Sequence, residues 1–107
     1  MDKRRRARKK TRLPARFGAT RPERLGLITD ASAHGFYLST NAVLARGTVV
    51  QVQVKVPGSE PLLLEGRVTR ARRVASQLVT LSTGGMGVHL ENPPANWREG
   101  LALPDEA

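Results

Sequence analysis

Two separated strings of this chain hold side chains whose types and spacing suit recognition of a nucleotide. The first is Arg4-Arg5-Arg6-Ala7-Arg8, which sets guanidiniums four apart at Arg4 and Arg8, with Arg5 adjacent. The second is Asp30-Ala31-Ser32-Ala33-His34-Gly35, which sets a carboxylate and a hydroxyl two apart and then a glycine. A planar guanidinium grips phosphate oxygens, or the O6/N7 edge of guanine, with two parallel hydrogen bonds. A carboxylate accepts hydrogen bonds, so it suits the N1 and N2 donors of guanine's pairing edge. Gly35 admits either a positive φ or a close backbone approach. The set describes a clamp for a guanine nucleotide with an anionic backbone. It offers neither a base beside a nucleophile nor a metal cluster, so it does not read as an enzyme.

Each half also has a plainer reading. Arginine runs serve as solubilising tails or adhere to nucleic acid through charge alone. Asp followed by Ser two residues later is a common turn at a strand end, with the side chains satisfying their own backbone. The arginine spacing itself fits three registers, Arg4/Arg8, Arg8/Arg12 and Arg12/Arg16.

Taken together and in this order, Arg-x-x-x-Arg and then Asp-x-Ser-x-x-Gly about twenty residues on, the strings resemble the PilZ domain, a binder of cyclic di-GMP. Leu13-Pro14-Ala15-Arg16-Phe17 is similar to the family's first strand, which favours the Arg4/Arg8 register just upstream. Gly35-Phe36-Tyr37-Leu38, Gly66-Arg67-Val68 and Gly85-Met86-Gly87-Val88 resemble later strands of that family. The resemblance runs from about Arg4 to about Leu101. It implies cyclic di-GMP as regulatory ligand, no metal, and Arg4, Arg5, Arg8, Asp30, Ser32 and Gly35 as the residues that hold it. It also implies relay to a downstream protein controlling motility, exopolysaccharide or biofilm behaviour in a bacterium.

Charge and composition set the frame. The 107 residues suffice for one domain with a modest core. The formal charge is +9, and residues 1–16 supply nine Lys/Arg against one Asp. The remaining body is therefore near neutral, and the cationic arm attracts polyanions. The arm has no aromatic residue before Phe17, so it offers no base-stacking platform of its own. Zero cysteines exclude disulfides and thiolate chemistry, and a cytoplasmic site is the default. No apolar run is long enough to span a bilayer, and no secretory leader is visible.

Strand signals fill the rest. Residues 1–12 have nothing apolar to bury and are expected to stay disordered until a ligand orders them, with a barrel domain over 13–107. Strands are expected at Leu13–Phe17, Leu25–Thr29 and Phe36–Thr40, the last two joined by an Asp30–Gly35 turn. Thr48–Val56 and Leu62–Arg70 alternate cleanly and form a hairpin around Pro57–Pro61. Leu78–Leu81 and Met86–Leu90 follow, and Asn92-Pro93-Pro94 ends the last strand. Ala95–Leu103 makes one or two helical turns, with Trp97, Leu101 and Ala102 toward the core. Arg70 reads as a solvated strand-end charge, the alternative being a guanidinium laid over a base. His34 and His89 lack companions at metal spacing and read as surface or wall residues. Short alternating strands with Gly/Pro turns indicate a small antiparallel barrel or sandwich. The PilZ resemblance implies an all-β, six-stranded antiparallel barrel with a short C-terminal helix. The competing function is a small barrel that binds nucleic acid through its basic arm, or a PilZ-like adaptor that has lost the nucleotide.

Overall fold

Alternating apolar residues give each strand one wet and one dry face, and closing the sheet on itself hides all the dry faces together. The computed structural model describes residues 8–58, 60–75 and 83–103. Six strands form the wall: β1 (Lys9–Gly18), β2 (Arg24–Ser32), β3 (Gly35–Ser39), β4 (Val49–Val54), β5 (Leu62–Arg72) and β6 (Gly85–Leu90). They close in the order β1-β2-β3-β6-β5-β4, with every neighbouring pair antiparallel. The fold class is the one expected. Val50, Val52, Val54 and Val56 on one side of the hairpin and Leu62, Leu64 and Val68 on the other all point into the core, as their alternation requires.

One end of the barrel is stoppered by α1 (Ala95–Gly100). Trp97, fully buried, packs against Phe36 with ring centroids 5.5 Å apart, and donates from Nε1 to the backbone oxygen of Ser32 at 3.0 Å. Gly100 lies so near Val56 that a Cβ there would sit 2.7 Å from its methyl. The helix ends in a Schellman motif: Leu103 N–H bonds the Arg98 carbonyl at 2.9 Å and Ala102 N–H bonds that of Glu99 at 3.2 Å. This reversal buries Leu103 and turns Ala102 outward, against the expectation that Ala102 faces the core.

Three of the boundaries that differ from the sequence reading bear on the outer face. β1 begins at Lys9 rather than Leu13, because Lys9 and Lys10 pair with Ala31 and Asp30 through backbone bonds that need no apolar side chain. β2 runs through Ser32, so Asp30 and Ser32 are strand residues, and the turn is the two-residue Ala33-His34 hairpin. β5 continues to Arg72, which makes Arg70 an internal strand residue rather than a strand end. The strand expected at Leu78–Leu81 lies outside the described residues.

Ala102 holds φ +53°, a left-handed conformation that an L side chain resists and glycine does not. Ala102→Gly is expected to raise stability by roughly 0.5–1 kcal/mol after the added chain entropy of glycine is discounted. A urea titration followed by Trp97 fluorescence checks this as a higher midpoint.

Candidate functional site

Side-chain direction on a barrel wall follows from counting residues outward from the core, and β-bulges shift that count. Ile28 is fully buried, so strict alternation would also bury Asp30. It does not, because Thr29 is an extra residue: Ile28 pairs with Leu38, and the next pair is Asp30 with Tyr37. β1 carries a matching bulge, with Thr11 and Arg12 between the Lys10–Asp30 and Leu13–Ile28 pairs. A third lies on β5, where Thr69 is extra between the Val68–Val88 and Arg70–Gly87 pairs. Threonine hydroxyls bond into the ladders at two of these places. Thr11 Oγ1 donates to the Ile28 carbonyl at 2.8 Å, and Thr69 Oγ1 donates to that of Gly87 at 3.3 Å.

After the bulges, one outward row crosses five strands: Lys10, Asp30, Tyr37, Gly87 and Arg70. A parallel row nearer the stoppered end holds Ser32, Gly35, His89 and Arg67. Asp30 and Ser32 therefore share the outer face, two residues apart on a single strand. His34 and His89 are both exposed.

Arg8 joins them. Its Nη2 and Nε both donate to Asp30 Oδ1, at 2.6 and 3.2 Å. With the two side chains 45% and 31% exposed, this pair contributes no more than about 1 kcal/mol. Ser32 is the reverse case. It is 2% exposed, and among the described residues its hydroxyl has no hydrogen-bond partner, since Trp97 takes only its backbone oxygen. Gly35 is required by close approach and not by a positive φ: a Cβ there would lie 2.5 Å from the backbone oxygen of Val88. The structure thus brings Arg8, Asp30, Ser32 and Gly35 to one end of one face. Arg4 and Arg5 lie outside the described residues. Arg12 and Arg16, the other register candidates, are exposed on β1.

Sequence reasoning missed Lys9. Strand alternation sends Arg8 outward and Lys9 toward the stopper, where its Nζ donates to the Leu101 carbonyl at 2.8 Å. That carbonyl is among the last of the helix, which have no partner within it, and a cation there also meets the negative end of its dipole. Arg8, just before β1, and Lys9, its first residue, therefore touch the candidate site and the helix end respectively. An apolar pattern starts the strand only at Leu13, and that hides Lys9.

A family model described as "PilZ domain" matches residues 2–96. Among solved structures, the Bacillus subtilis Inhibitor of motility (MotI/DgrA) aligns with a TM-score of 0.70 at 17% sequence identity, covering 96% of this chain. The chain spans about half of that protein, 48% of its length. No curated protein matches the sequence.

Backbone cannot yield to a new methyl as a flexible side chain does, so Gly35→Ala is expected to cost about 1–3 kcal/mol. Chemical denaturation should place its midpoint well below that of the parent protein.

Proposed function

The chain belongs to the PilZ domain family, a family of cyclic di-GMP receptors, and we propose that it binds cyclic di-GMP on the outer face that carries Arg8, Asp30 and Ser32. The observation that carries this reading is the outward Asp30 carboxylate beside a buried hydroxyl with no protein partner among the described residues. A buried hydroxyl left unbonded costs about 1–3 kcal/mol, so this site is poised for a polar ligand group.

Each residue then has a task. The Asp30 carboxylate accepts from N1 and N2 of one guanine, and the Ser32 hydroxyl completes the contact at the base of the hairpin. Gly35 keeps the backbone low enough for the ring to approach. Arg8 leaves Asp30 for a phosphate, an exchange that gives up only a weak exposed ion pair. Arg4 and Arg5 add guanidiniums for the phosphates and the guanine O6/N7 edge. The nucleotide is held, not transformed, so the protein is a receptor and not an enzyme.

Relay follows from the alternation of β1. Moving Arg8 onto a phosphate shifts Lys9, whose bond to Leu101 restrains the helix end. The helix and its surroundings then present a changed surface to a partner protein. Motility, exopolysaccharide or biofilm control is the setting, and the likeness to a Bacillus subtilis inhibitor of motility supports motility among these.

The basic arm favours a second reading, direct nucleic-acid binding, and one substitution separates the two. Asp30→Asn keeps one acceptor and places an amino group where the second should be. Calorimetry with cyclic di-GMP, with GTP and cyclic di-AMP as controls, should show roughly ten- to a hundredfold weaker binding in the variant. Binding to duplex DNA should stay level or rise, since a negative charge is removed. Unchanged cyclic di-GMP affinity in Asp30→Asn overturns the assignment.

A further inference from the structure

We propose that the barrel mouth at the end opposite α1 holds a small amphipathic anion, a carboxylate or phosphate headgroup on a short apolar tail. Two arginines supply the charge, and the connection from β3 to β4 supplies the apolar lining. The inference stands apart from the nucleotide reading, since this mouth lies at the far end of the barrel from the helix and its rim.

Thr40 builds the floor of the mouth. It is buried just after β3, and its N–H donates to the Gly84 carbonyl at 3.0 Å. Its hydroxyl donates to the Leu25 carbonyl at 3.2 Å and accepts from the Ala42 N–H at 3.0 Å. These bonds fix the start of the connection to the opening of β2 and to the residue before β6. The far end is fixed as well, because the Gly47 N–H donates to the Val68 carbonyl at 2.7 Å. Between these anchors Val43 and Leu44 pack against the core yet stay half-buried. Gly84 admits that approach: a Cβ there would lie 3.3 Å from a Val43 methyl.

A cavity of about 550 Å³ opens at this mouth, and Arg24, Asn41, Val43, Leu44, Arg73 and Val74 are among the residues lining it. Small-molecule pockets span roughly 300–1,000 Å³, so the space suits one small ligand. Arg24 pairs across to Phe17, which is fully buried, so strand parity turns Arg24 toward the barrel interior and not onto the outer wall. Arg73 reaches the same space from the position just after β5, a strand that does not neighbour β2 in the ring. Neither guanidinium has a hydrogen bond or ion pair among the described residues. No Asp or Glu among the described residues lines the cavity.

The chemistry fixes the class of ligand. A guanidinium keeps its charge, so two of them facing one space repel each other and set a positive potential there. An anionic headgroup between them relieves that repulsion and accepts paired hydrogen bonds from either fork, with the Asn41 amide as a further donor. Val43, Leu44 and Val74 give an apolar tail a surface against which to leave water. Head and tail are both required. Charge alone would send the ligand to the N-terminal arm, and apolar contact alone would accept a cationic amphiphile equally well.

Titration of the full chain with octanoate and with octyl phosphate, followed by amide chemical shifts, tests this. Acetate and inorganic phosphate serve as heads without tails, and octylammonium as a tail with the opposite charge. Saturable shifts should centre on Val43, Leu44 and Gly84, and the tighter of the two amphiphiles names the headgroup. Acetate, phosphate and octylammonium should bind at least about tenfold more weakly. Arg24→Gln and Arg73→Gln should each weaken binding roughly tenfold or more, the usual cost of one charge-assisted contact. Both residues are exposed, and Trp97 fluorescence verifies that each variant keeps its core. Arg46→Gln removes an exposed arginine of the same connection that does not line the cavity, and it should leave affinity within about twofold. Equal losses in Arg46→Gln and Arg24→Gln, or shifts centred on the N-terminal arm, overturn the site in favour of diffuse charge. Octylammonium binding as tightly as octanoate overturns the anion assignment. The absence of saturable shifts with both octanoate and octyl phosphate overturns the proposal outright.

Discussion

A barrel strand assigns its side chains to core or solvent by parity, and the candidate site exists only where parity is broken. Without the bulge at Thr29, the fully buried Ile28 would force Asp30 inward, where an ionised carboxylate has no partner and a high desolvation cost. With it, Ala31 takes the core position opposite Phe36, and Asp30 faces outward, half-exposed, opposite Tyr37. The β5 bulge does the same for Arg70 while leaving Val68 packed against Val88. The wall thus keeps a continuous inner row, Ala31, Phe36, Val88 and Val68, directly behind a polar outer one.

The second constraint is the stopper. Antiparallel closure brings the start of β1, the end of β2 and the start of β3 to the same rim, and α1 covers that rim. Trp97 ties the helix to Ser32 through a buried hydrogen bond, and Lys9 ties its last turn to β1. Both anchors sit within one residue of a side chain proposed to meet the nucleotide. A change at the rim therefore has a short covalent route to the helix. An aromatic core anchor and a single surface cation are enough to couple them, with no long network required.

Much of this was legible in the sequence. The valines of 50–56 and the apolar positions of 62–68 alternate without interruption, so their strands, their pairing and their inward faces follow directly. Trp97 is legible as a core anchor, and Asp30, Ser32 and Gly35 stand out by type and spacing as candidates that the structure gathers at one rim. What sequence could not give was placement. A bulge adds one residue without a compositional mark, so Thr29 and Thr69 look like ordinary strand residues, and Asp30 looks like the start of a turn. The pairing of Lys9 and Lys10 rests on backbone bonds, which no side-chain pattern announces. Helical spacing places Ala102 in the core only if the helix continues through it, and the Schellman reversal ends the helix first.

If one outer face of the barrel, aimed by its bulges, holds the nucleotide, amide chemical shifts will map that face directly during titration with cyclic di-GMP. The largest shifts should fall on Asp30, Ser32, Tyr37, Gly87 and Arg70, together with Arg8 and the Trp97 indole N–H. The opposite wall, where Leu25, Arg16, Gln53 and Leu63 form a row across β2, β1, β4 and β5, should stay still. Shifts confined to the N-terminal arginines, or centred on that opposite wall, would contradict this placement.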